Sequence, residues 1–237
     1  MRVDDHLGQA RHRARGEADQ HERDRIGHVQ PGGAPHERGG PEQQDEQELE
    51  VGHVGGRVYD RTVPASLPRP LGPDDHVQGP AGAPFELVMY GDFECPYCAA
   101  AQSILARVLK RLEGELRFAF RHLPLESVHP HARHAAEAAE AAAAQGAFWE
   151  MHDALYAGRG RLEDADLVAH ARGIGLDAER VGRELADGTH AERVQRDAAE
   201  AAANGLSSTP VFFVNGVQHT GSYDAGSLVE ALRGGGA

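Results

Sequence analysis

Two cysteines stand in this chain, Cys95 and Cys98, inside the run Phe-Glu-Cys-Pro-Tyr-Cys at residues 93–98. Two thiols separated by two residues can close a short disulfide, and a thiolate at the first can attack a disulfide elsewhere, so the spacing is that of thiol–disulfide exchange. A closed structural zinc site takes four ligands, and no second Cys-x-x-Cys exists to complete one. His122, His129, His131 and His134 are close in sequence. A histidine-rich helix start is ordinarily a partly exposed polar face, and no metal is assigned to them. A purely structural disulfide is disfavoured, because a four-residue loop removes little chain entropy.

The elements around the pair say which thiol is reactive. Phe85-Glu86-Leu87-Val88-Met89-Tyr90 is a short apolar run rich in strand formers, ended by Gly91-Asp92. From Pro96 onward the pattern is helical: Pro suits the first helical position, three alanines follow, and Ile104, Leu105, Val108, Leu109 and Leu112 fall on one face. Cys95 therefore sits at a helix N-terminus, where unpaired N–H groups and the helix dipole favour an anion. It is expected to be an exposed thiolate and the nucleophile, with Cys98 one turn further in as the resolving thiol.

Beyond the first helix, Leu116-Arg117-Phe118-Ala119-Phe120-Arg121 alternates apolar and polar as a half-buried strand does. An alanine-rich helix is expected from Ser127 or His129 to about Ala144, and a short one over 147–156 with an apolar face of Phe148, Met151 and Leu155. Three more helices follow, Asp164–Arg172, Asp177–Ala186 and His190–Ala203. Strand grammar returns at Val211–Val214 and Val217–Thr220, and the Asn215-Gly216 between them is a strong type I′ hairpin signal. A helix from Ser222 to Arg233 ends the chain's periodic part.

Residues 1–75 differ in kind. They contain no Phe, Trp or Cys, are broken by Pro and Gly, and carry 10 Arg against 15 Asp and Glu. Such a stretch buries too little apolar surface to offset its ordering entropy, and it is expected to be a disordered, low-complexity segment ahead of one domain at 76–237. The net charge of −13 speaks against nucleic acid as a partner. No apolar stretch follows the Arg-containing start, and no run is long enough to span a bilayer. Read as it stands, the chain is cytoplasmic and has no membrane segment; an extracytoplasmic location follows if its N-terminus is mis-assigned, which the Arg-rich composition, 23 Arg to the single Lys110, makes a fair alternative.

The order strand, helix, strand, helical insertion, hairpin, helix, together with residues 93–98, Phe-Arg-His-Leu-Pro-Leu at 120–125 and Ser-Thr-Pro-Val-Phe-Phe-Val-Asn-Gly at 208–216, resembles the DsbA-like branch of the thioredoxin superfamily. The resemblance covers about two thirds of the chain. It implies an α/β thioredoxin fold with a helical subdomain inserted at about 126–204, and an enzyme exchanging disulfides with protein or peptide thiols, leaning to dithiol oxidation. It implies no cofactor beyond the redox-active Cys95–Cys98 disulfide, and a redox partner that resets it. It also implies a cis bond at Thr209-Pro210, leaving the backbone of Thr209 free to pair with an extended substrate. Glutaredoxins are similar at Cys-Pro-Tyr-Cys, but 115 positions separate Cys95 from Pro210, too many for a bare thioredoxin fold. A non-catalytic redox-sensing module stays open as the other reading.

Two positions depart from the best-known oxidases of that branch. Tyr97 stands where they carry His between the cysteines, and Met89 where they carry an acid on the preceding strand. Pro96 and the helix start are then left to stabilise the thiolate, and Asp92 and Glu94 are the nearest acids for relaying a proton to Cys98. Phe93, Tyr97, Phe148 and Trp149 are candidates to line a substrate groove, with core packing the more natural role for Phe148.

Overall fold

A computed structural model describes residues 51–54 and 57–60 as backbone, and residues 65–158 and 160–234 in full. Strands β1 (Val51–Val54) and β2 (Arg57–Asp60) pair antiparallel as a small two-stranded sheet. The rest is built on β3 (His76–Gln78), β4 (Phe85–Gly91), α1 (Pro96–Arg111), β5 (Leu116–His122), α2 (Ala132–Ala143), α3 (Phe148–Ala157), α4 (Asp164–Gly173), α5 (Ala178–Ala186), α6 (Ala191–Ala203), β6 (Val211–Val214), β7 (Val217–His219) and α7 (Ala225–Gly234). Its five-stranded sheet runs β3-β5-β4-β6-β7. Only β4 and β5 are parallel, joined through α1 as a β-α-β unit. The expected α/β thioredoxin fold with an inserted helical region is therefore present.

Strands β4 and β6 are central and apolar on both faces, which is why their sequences read as nearly continuous hydrophobic runs. On one face Leu87, Met89, Phe118, Phe120 and Phe212 meet α1, α7 and the inserted helices through residues such as Leu105, Met151, Leu155 and Leu228. On the other, Val88, Tyr90, Ala119 and Phe213 pack with Ala201, Leu206, Leu67 and Leu71. The turn between β6 and β7 has Asn215 at φ 49° and Gly216 at φ 84°, the two left-handed residues that a type I′ hairpin needs.

Three expectations need correction. The domain does not begin at residue 76, because residues 65–75 are part of it: Ser66 bridges to Val217, the Leu67 N–H donates to the Gly216 carbonyl at 2.8 Å, and Arg69 and Asp75 pair at 2.7 Å. The segment is poor in apolar residues, yet two leucines and a set of ion pairs are enough to dock it. Strands β1 and β2 likewise lie within the stretch expected to be disordered, of which residues 1–50, 55–56 and 61–64 fall outside the described residues.

The second correction concerns β5, which is not half-buried. Arg121 is 0% exposed. Its guanidinium donates to Asp75 at 2.9 and 3.1 Å, to the Tyr90 hydroxyl at 3.0 Å, to Glu200 at 3.3 Å and to the carbonyls of Arg69 and Pro70. A cation goes inside here because nearly every donor it has is satisfied.

Third, α2 starts at Ala132 rather than at residue 127 or 129. Pro130 disfavours helical geometry at His129, and turn bonds from the amides of Val128 and His129 to the Leu125 carbonyl shape the approach instead. This irregular stretch, 125–131, is the one that reaches the acids beside the cysteines, Asp92 and Glu94.

Candidate active site

Strand β4 ends at Gly91, where the Phe120 ring leaves no room for a side chain. Asp92 then turns the chain: its carbonyl accepts the Cys95 N–H at 3.2 Å, and its Oδ1 accepts the Glu94 N–H at 2.8 Å. This puts Cys95 at the N-cap of α1 in an extended conformation, followed by Pro96 in the first turn, with no acidic side chain in that turn.

The two thiols are in unlike settings. Cys95 has its pKa lowered from 9.0 to about 5, first by the Cys98 thiol hydrogen-bonded to it, against the opposing effect of burial, and then by the Thr209 side chain and the backbone N–H groups of Cys98 and Tyr97. Cys98 moves the other way: burial and the neighbouring Cys95 push its thiol far above the ordinary range. In its protonated form Cys95 donates to the Thr209 carbonyl at 3.5 Å, a contact that favours the thiol and is outweighed. The Thr209 hydroxyl is buried and has no hydrogen-bond partner among the described residues.

Cys95 differs from expectation in exposure. It is 3% accessible, and the open positions are its neighbours Pro96 and Tyr97, the latter 67% exposed. Thr209 is buried at the edge of the site, Pro210 is half-buried, and the Thr209–Pro210 peptide bond is cis. Of the aromatic candidates for a groove, Tyr97 alone is open to solvent. Phe93 is a core residue, 4% exposed, with its ring 5.2 Å from that of Phe120 and 5.0 Å from that of Tyr156. Phe148 is buried against His76, ring to ring at 3.5 Å, and Trp149 packs partly buried at the edge of the core.

Both acids next to the motif are tied to the stretch before α2. Asp92 is buried, and its Oδ2 accepts the Leu125 N–H at 2.9 Å and pairs with His129 Nδ1 at 2.8 Å. Glu94 takes the His131 N–H at 2.7 Å and His131 Nδ1 at 2.9 Å. The His131 pKa is raised by that hydrogen bond. His129 is raised as well: burial disfavours its charge, but Asp92, Cys95 and Glu94 together prevail. Glu94 is therefore not a free charge beside the sulfur.

Tyr156 had no role in the sequence reading. It is buried at the site, donates to the Asp92 carbonyl at 3.3 Å, and has its pKa raised well above 10.0 by burial first and then by the neighbouring Asp92 and Cys95 charges. Its spacing from Phe148 and His152 on α3 placed it on the inner face, which was the one available signal.

The histidines do not converge on one point. His129, His131, His134 and His122 face four different carboxylates, those of Asp92, Glu94, Asp164 and Glu140. Among the described residues one grouping has ligand-like composition, His76, His122 and Glu140. Both imidazole Nε2 atoms lie 2.8 Å from the same Glu140 Oε1, which is hydrogen-bonding geometry, and the Arg193 guanidinium stands 3.7 Å from that oxygen. The cluster is a polar network packed against Phe93 and Phe148.

Comparison with known proteins agrees with this site. The thioredoxin family model matches residues 72–233. The oxidised form of BdbD from Bacillus subtilis superposes with a TM-score of 0.65 at 22% identity, covering 73% of this chain and 96% of that one. A thioredoxin-like oxidoreductase from Silicibacter pomeroyi superposes with a TM-score of 0.60 at 26% identity, covering 68% and 92%. A Na(+)/H(+) antiporter NhaA 1 from Salinispora arenicola is 49% identical over 164 residues, which are 69% of this chain. The chain spans about a quarter of the length of the curated relatives it matches, 25% in that case. Fold, motif and family match converge: the chain belongs to the thioredoxin family, with the fold of its DsbA-like thiol–disulfide oxidoreductases.

Proposed function

We propose that the protein exchanges disulfides with protein or peptide thiols through Cys95 and Cys98, and that it works as a dithiol oxidase. The observation that carries this reading is the asymmetry of the pair: a thiolate-prone Cys95 at the start of α1 and a buried Cys98 whose thiol holds its proton. A substrate thiolate attacks Cys95 Sγ of the disulfide, the Cys95–Cys98 bond breaks, and Cys98 leaves with the electron pair and takes a proton. A second substrate thiolate then attacks the substrate sulfur of the mixed disulfide and releases Cys95 as thiolate. Two electrons pass from the substrate dithiol to the enzyme. A disulfide or other two-electron oxidant, the partner that resets the site, must take them on.

Tyr97, Pro96 and the half-buried Pro210 border the sulfur, and the Thr209 backbone lies within reach of it, which supports an extended peptide as substrate. Oxidative work suits a compartment without glutathione and thioredoxin. No helix among the described residues is long and apolar enough to cross a membrane. Catalytic oxidation of a reduced, unfolded protein at substoichiometric enzyme with an added disulfide as terminal oxidant tests the reading; a single stoichiometric exchange without turnover overturns it.

The relatives favour a second reading. A segment like this one forms about a quarter of proteins named Na(+)/H(+) antiporters, which suits a module that changes redox state in the service of another protein instead of turning over. The same turnover assay separates the two.

A further inference from the structure

Tyr97 brings no cation to the space between the cysteines, and the nearest acids would oppose a thiolate if left bare. Asp92 is 2% exposed and its own carbonyl holds the Cys95 N–H, while Glu94 directly precedes Cys95. Without compensation, Cys95 would ionise with two acids among the three residues before it. The stretch 125–131 supplies the compensation, His131 on Glu94 and His129 on Asp92. The two histidines are differently placed. His131 is 43% exposed at its side chain and faces solvent, where screening weakens its field; His129 is 19% exposed, and its ring is fixed by the 2.8 Å contact of Nδ1 with a buried carboxylate that Leu125 also holds.

We propose that His129, oriented by Asp92, is the positioning residue that poises Cys95 as a thiolate, so that the cation missing from position 97 is delivered by the approach to the helical insertion. The proposal rests on Cys95 being the nucleophile. Asp92 joins His129 to Cys95: its carboxylate holds the His129 ring at 2.8 Å and its carbonyl holds the Cys95 N–H at 3.2 Å, and the charges of Asp92, Cys95 and Glu94 each favour the imidazolium. Reciprocity completes the argument: if a negative Cys95 favours a positive His129, the imidazolium favours the thiolate by the same free energy. Between the pKa of Cys95 and that of His129, then, the reduced site holds a thiolate–imidazolium pair, with Asp92 keeping the ring in place.

The test uses the full-length reduced chain and follows the thiolate's ultraviolet absorbance against pH. In His129→Gln the pKa of Cys95 should rise by about one unit, the low end for an opposite charge nearby because the ring is partly solvated. The glutathione exchange constant should shift about tenfold towards the disulfide, or about 30 mV. His129→Lys, which keeps the charge, should restore much of both, an effect that a merely structural role would not give. In the wild type, the His129 imidazole followed by NMR should titrate lower in the disulfide form than in the reduced form, since the thiolate is then gone. An unchanged Cys95 pKa in a folded His129→Gln chain, or an identical His129 titration in both redox states, overturns the proposal. Should the variant fail to fold, the wild-type comparison decides alone. Shifted pKa values in a protein without turnover would uphold this inference while removing the functional reading; turnover with neither pKa shifted would do the reverse.

Discussion

The ionisation of Cys95 sets how the redox potential should respond to pH. With Cys95 lowered to about 5 and Cys98 pushed far above the ordinary range, the reduced protein carries one thiolate and one thiol throughout the neutral region. A disulfide binds no proton, so each sulfur takes one up on reduction only below its own pKa. Above that lowered value, reduction consumes two electrons and one proton, and the potential should fall by about 30 mV per pH unit; below it, two protons are taken up and the slope should steepen to about 59 mV. At pH 7, roughly two units above the Cys95 pKa, ionisation favours the reduced form by about 2.7 kcal/mol at 1.36 kcal/mol per unit, which is about 60 mV for two electrons. A thiol left at 9.0 would gain almost nothing there. The pair should therefore be more oxidising than thioredoxin, at about −270 mV with a thiol pKa near 7. The same ionisation stabilises the folded, reduced chain; the contribution is complete above the unfolded thiol's pKa and is lost as pH falls through that of the folded one. Equilibration with glutathione across the acid and neutral range, quenched with acid, measures the slope. A straight line of about 59 mV per unit through pH 7 would mean that Cys95 is protonated there, and the reasoning would fall.

Three further outcomes are expected. Cys95→Ser should abolish turnover, whereas Cys98→Ser should accumulate mixed disulfides visible by non-reducing electrophoresis and mass spectrometry; equal trapping by both variants would contradict their unlike settings. Arg121→Leu leaves Asp75 buried without its main partner and should cost about 3–5 kcal/mol in urea unfolding, with the Cys95 thiolate titration unmoved. A chain beginning at residue 65 should unfold at a higher urea midpoint than one beginning at residue 76, because Leu67, Arg69, Leu71 and Asp75 are docked on the sheet; equal midpoints would mean the docking contributes nothing.

Local signals were legible where they act through neighbours in sequence. Pro96 after Cys95 marked the helix start, Asn215-Gly216 marked the hairpin, and the apolar runs at 85–90 and 211–214 marked the central strands. What stayed hidden depends on pairing across distance. Strand β3 has three residues, too few for periodicity to register. Arg121 resembles a solvent-facing residue of an alternating strand until Asp75, Glu200 and Tyr90 arrive from three other parts of the chain. Asp92 and His129 are 37 positions apart, so the acid could be noticed beside the motif but its partner could not be chosen among 15 histidines.

Arg121 gives the molecule one further property, which is mechanical. A guanidinium does not deprotonate in proteins, and its partner Asp75 is held down at about 2, so the pair that joins the leading segment to β5 keeps its charges from acid to strongly alkaline solution. The fastenings of the 125–131 stretch, His129 on Asp92 and His131 on Glu94, are imidazolium pairs whose raised pKa values make them slacken once pH climbs past those values. The sheet is thus the anvil and the 125–131 stretch the looser part: on the alkaline side, compliance should develop first where that stretch is fastened to Asp92 and Glu94, while the Arg121–Asp75 pair stays firm.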